Sequence, residues 1–451
     1  MEDTIAAIAT SVGVSAINII KVSGSKAIEV VNSIFKGKDL TKVKGFTINY
    51  GFIMDNEETI DEVLVSVFHS PKSYTGEDVV EINSHGGIAC TNKILELLLT
   101  HGCRLAEPGE FIKRAFLNGK KDLIEAESIS DLIEAKNESS RKMGIKGATG
   151  EISRLIKNLR DKLLNIIANI EVNIDYPEYE DAIVYTNELL DTSIKEIQDE
   201  LQKILKQSNI GKMIKDGIKV GIIGKPNVGK SSLLNKLLDE EKAIVTDIEG
   251  TTRDIVEGKI ILNGITLNLI DTAGIRETDN IVEQIGVEKS KKIIEEADLI
   301  IAIFDGSRHL TEEDEEIIKS LQDKKVIALV NKNDLEQKIE IEKLKDFNII
   351  KTSFKNNEGI NNIYEEINKM FNLQQIDSGD YTYLSNARQI SIVKNAISLT
   401  KEIYNSNKLG TPVDLVQIDI QRLWELLGEL TGDSYKDELL DEIFSKFCLG
   451  K

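Results

Sequence analysis

Cysteine is scarce in this sequence and basic residues are outnumbered, and each shortage excludes something. The 451 residues hold three cysteines, Cys90, Cys103 and Cys448, and no CxxC pair, which disfavours a disulfide framework or a zinc ribbon. No window approaches about 18 consecutive apolar residues, so no transmembrane helix is expected. The opening MEDTIAAIATSVGVS carries acids where a secretory leader carries a basic region, which argues against a signal peptide. A reducing cytosol is the expected location. Lys and Arg number 56 against 76 Asp and Glu, for a formal charge of −20. Nonspecific coating of nucleic acid draws its affinity from neutralised phosphates, so that class is disfavoured. No internal repeat or low-complexity tract is present.

What is present is an ordinary globular composition, 41% apolar and 29% charged, in a length that predicts two to four domains. Residues 1 to 118 alternate short apolar runs with turn residues. VSAINIIKVSG, FTINYGFI and DEVLVSVF read as strands and TNKILELLLTHG as a helix closed by Gly102, an α+β pattern. From about residue 120 long helices take over. Ile152, Leu155, Ile156, Leu159, Leu163, Ile166, Ile167 and Ile170 recur at helical spacing, as do Leu190, Ile194, Ile197, Leu201 and Ile204. Within this region Lys136, Arg141, Lys142, Lys146, Arg154, Lys157, Arg160 and Lys162 stand against three acids. A solvated helix face is the plain reading, and a local RNA contact is the alternative.

Between about 217 and 373 strands and helices alternate, as in a parallel-sheet nucleotide-binding domain. DGIKVGIIG, ITLNLIDTAG, ADLIIAIFDG, KKVIALVNKND and FNIIKTS are its strand candidates. From about 384 the chain is helical again. Helices on both flanks suggest one helical domain, 119–216 plus 374–451, interrupted by an inserted α/β domain; two separate helical domains are the alternative.

The chemistry concentrates in the α/β segment. GKPNVGKS, Gly224 to Ser231, matches GxxxxGK[ST] between an apolar run and a helical pattern. In such a loop backbone amides wrap phosphates, Lys230 neutralises β/γ charge and the Ser231 hydroxyl ligates magnesium. DTAG (Asp271, Thr272, Ala273, Gly274) closes a strand with a magnesium-side carboxylate and a γ-phosphate-sensing amide. NKND (Asn331, Lys332, Asn333, Asp334) ends another. Its aspartate can accept two hydrogen bonds from guanine, whereas adenine offers no matching pair. Ser353, in TSFKN, stands where a last base-contacting loop belongs. Between the P-loop and DTAG, Thr246, Asp247, Ile248, Glu249, Gly250, Thr251 and Thr252 form a polar switch loop in which one threonine should complete the magnesium shell. Gly224, Asn227, Val228, Gly229 and Ser232 complete the expected GTP site. One feature is discordant. The residue after DTAG, often a water-orienting glutamine in signalling GTPases, is Ile275.

GKPNVGKSS, GTTRD, DTAGI and NKND together resemble the translation-factor-related GTPases with an apolar residue after DTAG. SYTGEDVVEINSHGG, AEPGEFIKRAFLNGKKDLIEAE, VNIDYPEYED and the terminal FCLGK extend the resemblance over nearly the whole chain. With them, the sequence resembles the MnmE (TrmE) family of tRNA uridine-modification GTPases. The resemblance implies an α+β N-terminal tetrahydrofolate-binding and dimerisation domain over 1–118. It also implies an all-α helical domain and an inserted Ras-like P-loop GTPase domain over 217–373. It implies homodimers that join the FAD-dependent partner MnmG (GidA) in a heterotetramer or larger complex. That complex adds an aminomethyl or carboxymethylaminomethyl group to C5 of the wobble uridine of certain tRNAs, with 5-formyl- or methylene-tetrahydrofolate as one-carbon donor.

The resemblance also implies roles for individual residues. Potassium and pairing of the GTPase domains activate hydrolysis. Asn227, the carbonyls of Thr246 and Ile248, and Thr251 match the potassium ligands, leaving Thr252 with Ser231 for magnesium. Glu283, a plain surface carboxylate on its own, matches the residue that positions the attacking water. Catalysis thus falls to Glu283, Lys230 and Asn227, with Cys448 a candidate chemical participant or a buried helix-end thiol. Lys21, Glu81, Lys120 and Lys451 match the folate contacts, with Lys21 standing where arginine is commoner. His85, Cys90, His101 and Cys103 have no common metal spacing and are expected in core or helix-end roles. A ribosome-assembly GTPase, an RNA-binding switch without modification chemistry, is the alternative function. It predicts a basic appendage after the GTPase domain, where this chain has acidic-to-neutral helices such as DELLDEIF.

Overall fold

The computed structural model describes residues 3–11, 13–175, 187–239, 258–262, 265–270, 292–371, 373, 384, 386–433, 437–447 and 449–450. Two compact units result. One comprises residues 1–130, 147–198 and 395–451, and the other 131–146 and 199–394.

The first unit opens with β1 (Thr4–Ile8), β2 (Ile17–Ser23), α1 (Ala27–Ile34), β3 (Phe35–Lys36), β4 (Thr47–Asp55), β5 (Glu58–Phe68), β6 (Val79–His85), α2 (Ile88–Thr100), β7 (Cys103–Leu105) and α3 (Glu110–Leu117). The strands form one sheet in the order β3-β4-β5-β6-β2-β1-β7, antiparallel except that β1 and β7 run parallel. Alternate residues face opposite sides of a strand. Ile20, Val22, Ile53, Val63, Val65, Val67, Val80 and Ile82 therefore point together into a core that Val30, Val31 and Ile34 of α1 and Ile94, Leu97 and Leu98 of α2 complete. The opposite face carries Lys21, Glu81, Asn83 and His85.

Helices α4 (Leu123–Glu134), α5 (Glu138–Ala148), α6 (Glu151–Asp175) and α7 (Asn187–Asp216) follow. The buried row Ile152, Ile156, Leu159, Leu163, Ile166, Ile167 and Ile170 is the inward stripe of α6. Next comes the α/β layer: β8 (Ile218–Ile223), α8 (Lys230–Asp239), β9 (Gly258–Leu262), β10 (Ile265–Ile270), β11 (Leu299–Asp305), α9 (Glu312–Ser320), β12 (Val326–Asn331), β13 (Asn348–Lys351) and α10 (Ile360–Met370). Its sheet order is β13-β12-β11-β8-β10-β9, parallel apart from the antiparallel edge strand β9. Strands β11 and β12 are buried on both faces, which explains their unbroken apolar runs LIIAIF and VIALV.

Helices α11 (Ala387–Lys408), α12 (Val413–Thr431) and α13 (Asp437–Phe444) close the chain. They resolve the choice between one helical domain and two. Residues from both sides of the α/β segment meet within one unit: the Arg160 guanidinium lies 4.3 Å from the Trp424 ring centre and pairs with Asp433, and Asn407 donates to Asp191. The fold is an α+β N-terminal domain, an all-α domain and an inserted Ras-like P-loop domain. Among the described residues no helix is long and apolar enough to cross a membrane.

Candidate functional site

The nucleotide-site residues are built around β8. Its neighbours are β11 on one side and β10 on the other, so the chain reverses its direction of travel across the sheet there. In open parallel sheets, ligands bind at the carboxyl ends of the strands flanking such a point. The Gly224–Ser231 loop leaves β8 at that end and runs into α8, whose first-turn amides are available to an anion. Two glycines are obligatory for close approach. A Cβ on Gly224 (φ +150°) would lie 2.5 Å from the Ile303 carbonyl oxygen, and one on Gly229 (φ +111°) 2.4 Å from Asn331 Nδ2. Between them Val228 is fully buried and pins the loop to the core. Asn227 sits at φ +61°, a region that asparagine tolerates better than most residues. Its side chain makes no hydrogen bond among the described residues and is exposed.

The Lys230 ammonium donates to the carbonyls of Gly224 and Lys225, both at 2.7 Å, and burial lowers its pKa. Ser231 and Ser232 stand exposed in the first turn of α8. From β12 the base-side loop reaches back to the P-loop. The buried Asn331 amide donates to Val228 O at 2.8 Å and accepts from the Phe354 amide at 3.3 Å. The Ser353 hydroxyl donates to Asp334 Oδ1 at 2.7 Å and holds that exposed carboxyl below its ordinary pKa. Asn333 N donates to Thr352 O at 3.0 Å. Asn331 thus joins the phosphate loop at Val228 to the Ser353–Phe354 stretch, and Ser353 in turn holds Asp334. Thr246, Asp247, Ile248, Glu249, Gly250, Thr251, Thr252, Asp271, Thr272, Ala273, Gly274, Ile275, Glu283, Cys448 and Lys451 lie outside the described residues.

In the first unit, register places Lys21 of β2 directly opposite Glu81 of β6, with Lys21 Nζ 3.9 Å from Glu81 Oε1. Two residues not singled out in the sequence flank the pair. The ammonium lies 5.0 Å from the Tyr74 ring centre and 5.4 Å from that of Phe111. Burial depresses the Lys21 pKa, Glu81 opposing it, and burial pushes Tyr74 up to about 12. Lys120 is exposed, and its stem borders Gly76, in the turn after Tyr74. At the other end of the chain Gly450 (φ +86°) leaves no room for a side chain, since a Cβ would lie 2.7 Å from Ile8 O. Ile8 pairs with Ile20, so the residue before Lys451 lies beside the strand pair that carries Lys21. The aromatic in SYTGED was the one sequence signal for Tyr74.

The histidines and cysteines scatter. His85 Nδ1 contacts Asp61 Oδ1 at 2.7 Å, His101 Nδ1 contacts Leu97 O at 2.7 Å at a helix end, and Cys103 is buried in the sheet core. In the basic stretch Arg141 pairs with Glu138, Lys157 with Asp122 and the largely buried Arg160 with Asp433.

Strand order, P-loop position and the Asn331–Val228 stitch define a Ras-like P-loop GTPase domain carried inside a larger chain. Residues 4–120 match the model of the GTP-binding protein TrmE N-terminus, and residues 123–448 match that of the MnmE helical domain. The chain belongs to the MnmE family of tRNA modification GTPases. It is 50% identical to the tRNA modification GTPase MnmE of Streptococcus gordonii over 452 aligned residues, covering 100% of this chain and 99% of that protein. It is equally similar, at 50%, to the namesakes from Streptococcus mutans serotype c and Lactococcus lactis subsp. lactis, covering 100% of this chain and 99% and 98% of theirs. Among solved structures, the G domain of the T. maritima FeoB iron transporter is 28% identical over 34% of this chain and 97% of that chain, with a TM-score of 0.26.

Proposed function

We propose that this family member is a potassium-activated GTP hydrolase whose turnover depends on paired GTPase domains. In this reading it works with an FAD-dependent partner and a reduced folate to modify C5 of the wobble uridine of certain tRNAs. The carrying observation is the P-loop at the carboxyl end of β8 with the Asn331 amide bonded to it at Val228, while Ser353 bonds to Asp334 of the same base-side loop. In this assignment Asp334 accepts from the guanine ring N–H and exocyclic amine, Lys230 neutralises phosphate charge, and the loop and first-turn amides of α8 bind phosphate oxygens.

The donors suit hard cations. Ser231 offers a hydroxyl at the first turn of α8, and the exposed Asn227 amide offers an oxygen not committed to another described residue. Oxygen ligands of this type match magnesium and potassium. Ser231 with Thr252 would hold magnesium; Asn227 with Thr246, Ile248 and Thr251 would hold potassium. A monovalent cation beside the β/γ bridge supplies positive charge where hydrolysis develops negative charge. Glu283 is assigned to orient water, which leaves Ile275 no catalytic task.

For the folate, Glu81 offers a carboxylate to a guanine-like pterin edge, while Lys21, Lys120 and Lys451 offer cations to carboxylates. Tyr74 and Phe111 give the Lys21–Glu81 pair an aromatic border. The folate supplies a one-carbon unit when bound. Equilibrium binding of 5-formyl-tetrahydrofolate, with Glu81→Gln as control, tests this part. Saturable binding lost in the variant is expected. No binding, together with normally modified wobble uridines in a deletion strain, contradicts the assignment.

A further inference from the structure

The turn after β11 lies beneath the base-side loop and is stitched to it through both main chain and side chains. Gly306 N donates to Asn331 O at 2.8 Å, and Lys338 N donates to Gly306 O at 2.8 Å. A Cβ on Gly306 would lie 2.2 Å from Gln337 Oε1 and 3.0 Å from Asn331 O, so a side chain here would push the Gln337 amide aside and crowd the Asn331 carbonyl. Gln337 Nε2 in turn donates to the carbonyls of Lys332 and Leu335, both at 3.0 Å.

Beside that glycine stands Asp305, the last residue of β11, its side chain 8% exposed. Its two oxygens have separate tasks. Oδ1 accepts from Ser307 N at 3.0 Å and from Ser307 Oγ at 2.7 Å, which fixes the carboxylate plane. Oδ2 accepts from Lys332 Nζ at 2.6 Å. Burial raises the Asp305 pKa, but Lys332 and Ser307 outweigh it and hold the group below its ordinary value, so it is the carboxylate that meets the ammonium. Lys332 itself sits at φ +64°, a left-handed conformation that a lysine enters only against steric cost. Two residues further on is Asp334.

We propose that Asp305 is a positioning residue for base recognition: by gripping Lys332 it holds the left-handed turn that aims the Asp334 carboxylate at the base edge. This deepens the guanine-nucleotide assignment and rests on it. Asp305 touches no nucleotide atom in this scheme and acts through Lys332 alone. The Asn331 stitch and the Gln337 bonds fix where the loop lies, whereas the ion pair fixes its direction at Lys332.

The test compares GDP with IDP, which lacks the exocyclic amine, in the full-length protein. Wild type binding GDP more tightly than IDP and ADP supports the underlying assignment, and its absence overturns that assignment before any variant is made. In Asp305→Asn the carboxylate charge is lost and the grip on Lys332 weakens. GDP affinity should fall by roughly tenfold, the scale of one hydrogen bond to a charged group, and IDP affinity by much less, so the preference shrinks. Lys332→Gly in the Asp305→Asn background should restore part of that preference, because glycine adopts φ +64° without a grip. Ser307→Ala, a change in the half-buried turn that frees the carboxylate plane, should shift the preference in the same direction by a smaller factor. An unchanged GDP-to-IDP ratio in both Asp305→Asn and Ser307→Ala, or equal losses for the two nucleotides, overturns the proposal.

Discussion

His85 shows how one carboxylate sets a side chain's behaviour. Its ring nitrogen meets Asp61 Oδ1 at 2.7 Å, and its backbone amide donates to Asp61 Oδ2 at 2.8 Å. The hydrogen bond and charge of Asp61 raise the histidine above its ordinary 6.5. A histidine whose folded pKa exceeds its unfolded value adds stability below the unfolded pKa, and that stability fades as pH rises through the folded one. In an NMR titration His85 should therefore titrate above 6.5 in the native protein and return toward that value in Asp61→Asn. An identical midpoint in both proteins contradicts the pairing. Such a contact was invisible in the sequence because its two residues sit on neighbouring strands. The same holds for Asp305 with Lys332, and for Tyr74 and Phe111 around Lys21. By contrast GKPNVGKS and NKND were legible, since their chemistry is local: phosphate and base are read by consecutive residues on one turn.

Among elements, the clearest lesson comes from α5. Its sequence ESSRKMGIKGA has a weak apolar stripe, yet it is fastened to the base of the GTPase sheet within one unit. Met143 joins the core of Ile218, Leu267 and Leu269, Ser140 Oγ donates to Ile214 O at 2.8 Å, and Asn137 Nδ2 donates to Thr266 Oγ1 at 3.2 Å. Met143→Ala should cost about 2–5 kcal/mol by leaving a cavity under β8 and β10. Urea unfolding checks it, and a loss under about 0.5 kcal/mol would mean that the contact carries no weight. The five strands foreseen between 217 and 373 all form, since long apolar runs mark buried parallel strands. Five others were not foreseen, of which β3 and β7 run for only two and three residues. TIAAI of β1 is only five residues long, and its two adjacent alanines interrupt the β-branched Thr4, Ile5 and Ile8. In β6 the buried Val79 on the outward parity and the polar Ser84 on the inward one blur the alternation, and β9 is a five-residue edge strand.

At the scale of the whole molecule, neither compact unit is a continuous stretch of chain. Helices α4, α5, α7 and α11 each contribute residues to both units, so the α/β layer carries part of the helical framework within its own unit. Composition and periodicity announced three grammars of chain but not where one unit yields to the next, because a long helix reads the same on either side of such a point. Potassium activation, as proposed above, turns on Asn227. Alanine is a poor probe at φ +61°, since it would add backbone strain to the loss of the amide; glycine removes only the amide. GTP turnover should therefore be measured for the full-length protein and for Asn227→Gly, in potassium and in sodium at equal ionic strength. Potassium should accelerate the wild type well above sodium, and Asn227→Gly should lose this difference while still binding GDP. Equal stimulation by potassium in both proteins would contradict it.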